Sequence, residues 1–141
     1  MIGSVVRSVA AVFVGLAVAT FLVVLVELGS SIVHPFPPGV DPTDIEACKA
    51  HVARYPAGVL LAAGVAWVGT AFVSAWLATR LGMGRHRAHG LVVGVILLAL
   101  AVMNMSMLPY PIWFWALNLI GFPLAFFWDS KLGGPRPQIE R

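Results

Sequence analysis

The chain reads as an all-α integral membrane protein. The expected fold is a four-helix transmembrane bundle with both termini cytoplasmic (N-in/C-in) and a short extracytoplasmic helix between spans one and two. Three observations predict it. Of 141 residues, 60% are hydrophobic and 11% charged, against about a quarter charged in an ordinary soluble domain. The apolar residues fall into four runs, about 5–33, 57–79, 90–108 and 112–128, and about 20 such residues cross a hydrocarbon core as a helix. Seven of the nine Lys and Arg flank those runs on one side, the pattern that holds loops in the cytoplasm.

Span one carries only Arg7 near its start and Glu27 near its end. Its apolar run continues past Ala17-Val18-Ala19 to Val26, longer than the roughly 7–15-residue core of a cleaved leader, so it is expected to remain as a span. The segment Pro35-Phe36-Pro37-Pro38-Gly39 then removes backbone donors and ends the helix near His34. In the outer loop 34–56, Pro42 suits a first helical turn, and Thr43 ahead of Glu46 fits a capping box. A helix is therefore expected over 42–54, with Ile45, Cys48, Val52 and Tyr55 on its apolar face.

Span two follows Pro56 and holds no charge. Arg80, Arg85 and Arg87, with Gly82 and Gly84 as helix-ending residues, make the turn into span three. Pro109-Tyr110-Pro111 is short enough to make spans three and four antiparallel neighbours. Span four is the shortest, with Trp113 and Trp128 placed for the two water boundaries. Lys131, Arg136 and Arg141 complete the basic side, whereas Lys49 and Arg54 share the opposite loop with Asp41, Asp44 and Glu46. The four spans make one membrane domain, 1–141, expected in the bacterial cytoplasmic (inner) membrane. Its packing faces are expected at small residues, which let helix backbones approach in lipid: Ala11, Gly15 and Ala19, then Ala62, Ala66 and Thr70, then Gly90 and Gly94.

Glu27 is the residue that points to chemistry. It stands eight residues before Pro35, about 12 Å along a helix, inside the hydrocarbon, where a carboxylate costs on the order of 2–3 kcal/mol and normally faces the bundle interior. Ser31 and His34 continue its helix face, Asn104 and Asn118 lie at matching depth on spans three and four, and Trp67 sits slightly deeper on span two. These six residues form the expected site, an outward-facing polar pocket that binds or moves a small ligand, a proton or a cation. The competing reading is a dry interhelical hydrogen-bond cluster that fixes packing, in a non-catalytic accessory or assembly subunit of a membrane complex.

His34, Cys48 and His51 make a weaker metal candidate, since a fourth ligand is missing. Met103, Met105 and Met107 do not converge on one ion, because residue 105 points away from the other two on a continuous helix. The one cysteine excludes an intrachain disulfide. Hydrolase, P-loop, dinucleotide and metalloprotease motifs do not occur, so neither an enzyme nor a cofactor is expected. Membrane lipids are the expected partners, with a second copy or a membrane-complex subunit as protein partner. The basic residues sit at membrane boundaries and make no nucleic-acid patch.

One resemblance covers nearly the whole chain. Glu27 followed by His34-Pro35-Phe36-Pro37-Pro38-Gly39-Val40-Asp41-Pro42-Thr43-Asp44, together with Asn104-Met105 ahead of Pro109-Tyr110-Pro111-Ile112-Trp113-Phe114, resembles an uncharacterised family of small bacterial four-transmembrane-helix proteins of unknown function. The resemblance implies the four-span topology and singles out the same outer-side residues. It implies no activity.

Overall fold

In the computed structural model, residues 2–133 are described, except for the side chains of Ile2, Arg85, Asp129 and Ser130. Arg136 and Arg141, two of the residues expected to set orientation, lie outside the described residues. Among the described residues five α-helices follow one another: α1 (Ile2–Val33), α2 (Ile45–Val52), α3 (Ala57–Leu81), α4 (Ala88–Met107) and α5 (Ile112–Gly133), with a 3-10 turn, Met83–Arg85, between α3 and α4. Helices α1, α3 and α4 are long and apolar enough to cross a membrane, and α5 carries a shorter apolar stretch, Ile112–Trp128. No strand occurs among the described residues.

Two local expectations are corrected. The helix expected over 42–54 is shorter, Ile45–Val52, and Thr43 and Glu46 form no capping box. Asp41 competes for Thr43, its Oδ1 accepting from the Thr43 backbone N–H at 2.8 Å and from Oγ1 at 2.7 Å, a local turn that takes the place of helix. Asp44 caps instead, accepting from the Glu46 N–H at 3.0 Å, and Glu46 pairs with Lys49 at 2.8 Å. The buried side of α2 also differs: Ile45 is exposed, and His51, 6% exposed, is the buried residue. The approach to α2 turns at Gly39, whose φ of 79° an L side chain resists; the Val40 N–H bonds the Pro37 carbonyl across it.

Arg7 lies within α1, near its start as expected, and its Nε donates to the Leu81 carbonyl at 3.1 Å, supplying a donor to the last turn of α3.

Helix α3 is central, packing on α1, α4 and α5, while α4 also meets α1 and α5. The close approaches fall where the backbone is bare. A Cβ on Gly15 would stand 3.0 Å from both Ala78 Cβ and the Ser74 carbonyl oxygen, and one on Gly94 would stand 2.5 Å from the Phe126 ring. Ala11, Ala19, Gly90 and Thr70 are buried as expected, but Ala62 is exposed and Ala66 only partly covered. The α3 seam instead continues through Ala71, Ser74, Ala75 and Ala78, because those positions lie opposite Gly15 and its neighbours. Leu60, Ala71, Ala101, Met105, Phe114 and Phe122 form the apolar core. Met105 is buried while Met103 and Met107 face outward, so the three thioethers are split as helical geometry requires.

Candidate functional site

Beyond Gly15 the contact between α1 and α4 gives way to a cleft of about 430 Å³, with α3 as its floor. The walls follow from helical periodicity. Thr20, Val23, Val24 and Glu27 on α1, and Leu97, Leu100, Ala101 and Asn104 on α4, each follow an i, i+3, i+4, i+7 stripe, so each set lies on one face. Trp67, Thr70 and Ala71 repeat the start of that pattern on α3, and Phe122 reaches in from α5.

The polar side chains are not spread evenly. Both α1 and α4 run toward the end of the molecule that carries α2, so Glu27 and Asn104 occupy the α2 end of the cleft. The opposite end is mostly apolar, lined by Ala19, Val23, Leu97 and Ala101, with Thr20, whose hydroxyl donates to the Leu16 carbonyl at 3.0 Å, and Thr70 as its other polar side chains. Among the described residues no Lys or Arg lines the cleft, and Glu27 has no hydrogen bond or ion pair. Two further polar atoms of lining residues, Asn104 Oδ1 and Trp67 Nε1, are buried without a partner. Buried polar groups are usually hydrogen-bonded, so a concentration of unfilled valences needs an explanation.

Two tyrosines that the sequence did not single out stand near this end. The phenols of Tyr55 and Tyr110 are both held above the ordinary value of 10, first by burial and then by the negative charge of Glu27. They therefore remain protonated donors on the Glu27 side. Tyr110 stacks on Phe114 at 4.5 Å and meets Trp67 edge-on at 6.1 Å, giving this end of the cleft an aromatic backing. Its place between two prolines marked it as a connector.

The expected site residues are thus partly assembled. Glu27, Asn104 and Trp67 line one cleft. Asn118 is fully buried on α5 and does not line it; its Nδ2 donates to the Phe114 carbonyl at 2.9 Å, and its Oδ1 has no partner. Residue counts along a helix do not fix the direction around its axis, and α5 packs chiefly on α3 and α4. Ser31 is exposed and its Oγ donates to the Leu28 carbonyl of its own helix at 2.8 Å.

His34 joins a different group. Its ring stacks on His51 at 4.6 Å and meets Tyr55 at 4.6 Å, and Phe36 stacks on the other histidine, His51, at 3.9 Å. Since α2 touches the other helices little, these rings are its main attachment. Cys48 does not join them, its Sγ donating to the Pro42 carbonyl at 3.2 Å. Among the described residues no three His, Cys, Asp or Glu are grouped to hold a metal ion.

Burial, followed by the charge of His34, lowers the His51 pKa from its ordinary 6.5, so the folded stack favours neutral His51. The contribution is complete above about pH 6.5 and is lost as pH falls through the lower folded value, because the released chain takes up the proton more readily. Amide hydrogen exchange over Ile45–Val52, corrected for intrinsic rates, is expected to accelerate between about pH 7.5 and 5. A corrected rate independent of pH would contradict the attachment of α2 through a neutral His51 in the ring stack.

Compared with known proteins, the chain matches no family model, no curated protein sequence and no solved structure.

Proposed function

We propose that the protein binds a small monocation on Glu27, at the α2 end of the α1–α4 cleft. The observation that carries this reading is a carboxyl group on the wall of a roughly 430 Å³ cleft, with no cation or hydrogen-bond donor engaged to it among the described residues. An ionisable residue placed within a membrane is costly and ordinarily marks a ligand or ion path. A purely structural role would leave it paired, as Lys49 pairs Glu46 at the surface.

In this reading α5 is the fourth span, both termini are cytoplasmic and α2 lies outside the bacterial inner membrane, so the polar end of the cleft belongs to the outer half of the bilayer. The basic flanks Arg7, Arg80 and Arg87 support that orientation. Cys48, the one cysteine, is a native reporter. A membrane-impermeant maleimide added to cells with a permeabilised outer membrane is expected to modify it, and to modify the exposed position in a Glu46→Cys, Cys48→Ser variant faster. Modification only after lysis would reverse the topology.

The broad apolar exposure of α1, with Phe13 at 73% and Ile32 at 81%, is what lipid contact produces, and by itself calls for no partner chain. The test of the binding reading uses dicyclohexylcarbodiimide, which reaches carboxyls from the bilayer. Glu27 is expected to be modified, and hexylammonium is expected to protect it where hexanoate does not. An unmodified Glu27, or equal protection by both ions, overturns the reading.

A further inference from the structure

We infer that the ligand is a monocationic amphiphile, a free alkylammonium whose head sits on Glu27 and whose chain lies in the apolar part of the cleft, reached sideways from the outer leaflet. The inference rests on the Glu27 binding reading and specifies its ligand class.

The first argument is the polarity gradient. The charged and amide acceptors are confined to one end, at Glu27 and Asn104, and the wall beyond them is mostly hydrocarbon from Val23 and Leu97 down to Ala19 and Phe122, with the Thr20 hydroxyl, already bonded to the Leu16 carbonyl, and the Thr70 hydroxyl as its other polar groups. A compact hydrated ion would use only the first part. Nor is the polar end equipped for a hard divalent ion: one carboxylate and one amide oxygen fall far short of the roughly 6–8 oxygens that calcium takes or the octahedral shell of magnesium. An ammonium head has only three N–H donors to satisfy, and the Trp67 ring, which lines the same cleft, suits a cation.

The second argument is the direction of access. The residues along both lips, Thr20 and Val24 on α1 and Leu100 and Met103 on α4, are exposed, and in a bilayer that side meets lipid tails. An amphiphile already dissolved in the leaflet therefore reaches the cleft without crossing the protein. The third argument separates a free amine from an aminophospholipid. Glu27 stands six residues before the end of α1 at Val33, about 9 Å along the helix, so a phospholipid amine could reach it only by drawing its phosphate below the boundary. Among the described residues no Lys or Arg lines the cleft to receive that phosphate.

The experiment is a calorimetric titration of the full chain in phosphatidylcholine nanodiscs with butyl-, hexyl-, octyl- and dodecylammonium, referred to free aqueous concentration after subtraction of protein-free nanodiscs. The half-saturating concentration is expected to fall by about fourfold per added methylene up to the chain that fills the cleft, then to level off. Ala101→Phe, which fills the apolar end, is expected to bring the levelling forward to a shorter chain while butylammonium binding persists. A flat chain-length response with Glu27-dependent binding retained overturns the amphiphile and leaves the cation site standing. Equal binding of octyl sulfate, or competition by phosphatidylethanolamine in the nanodisc, also overturns it. If no alkylammonium binds at all, the underlying Glu27 reading fails, whatever the behaviour of Ala101→Phe.

Discussion

Glu27→Gln is expected to weaken hexylammonium binding by about 30-fold or more while leaving the fold intact. Glutamine keeps the length of the side chain and one acceptor oxygen, and removes only the charge. Truncating one partner of a desolvated charge pair costs about 2–5 kcal/mol. The lower end applies here because the cleft is open along one side, and about 2 kcal/mol is a factor of about 30. Stability should change little, within about 0.5 kcal/mol, since Glu27 is exposed and makes no ion pair or hydrogen bond among the described residues. Glu27→Asp, which retracts the carboxylate by one methylene, should fall between the two. Calorimetry on the three proteins, with thermal unfolding alongside, reads both quantities; a loss below threefold in Glu27→Gln would remove the carboxylate from the binding site.

The second large effect is structural. Gly15→Leu is expected to destabilise the protein by about 2–3 kcal/mol, the upper part of the range for overpacking. A Cβ at Gly15 already stands 3.0 Å from the Ser74 carbonyl oxygen and 3.0 Å from Ala78 Cβ, and neither backbone nor alanine can rotate away. The remaining leucine atoms must drive α1 off α3, which loosens the closed end of the cleft as well. Gly29→Leu on the same helix is the control: a Cβ there meets nothing within 4 Å, and losing a helical glycine is mildly favourable by about 0.5–1 kcal/mol. Denaturant unfolding in matched detergent should separate the two variants, and equal midpoints would contradict the packing.

Much of the fold was legible because a bilayer imposes one rule, that every spanning backbone group must be satisfied within its own helix. Apolar run lengths therefore placed α1, α3 and α4 within a few residues of where they stand. What a charge near a boundary does was less legible: Arg7 reads as a topogenic residue near the start of span one, and its donation to the Leu81 carbonyl at the far end of α3 depends on packing that the sequence does not show. At the α2 end, Thr43 carries a capping-box spacing, but Asp41 two residues earlier took both of its donors, a local competition that spacing alone does not rank.

The site shows the same division. Glu27 stood out because a carboxylate in an apolar run has few ordinary explanations. Asn104 followed by depth, and so did Asn118, but only Asn104 points to the cleft, since depth is read from residue counts and azimuth from how helices pack. Tyr55 and Tyr110 were invisible as site residues because aromatic rings near a membrane boundary are common. Only their proximity to the Glu27 charge sets these two apart.

The central claim is that a cation rests on the Glu27 carboxyl group. An infrared difference spectrum of hexylammonium-bound minus free protein tests it most directly, because it reports the carboxyl vibration itself. The expected spectrum contains a carboxyl change that disappears in Glu27→Gln and persists in Glu46→Gln. Identical spectra for wild type and Glu27→Gln would contradict it.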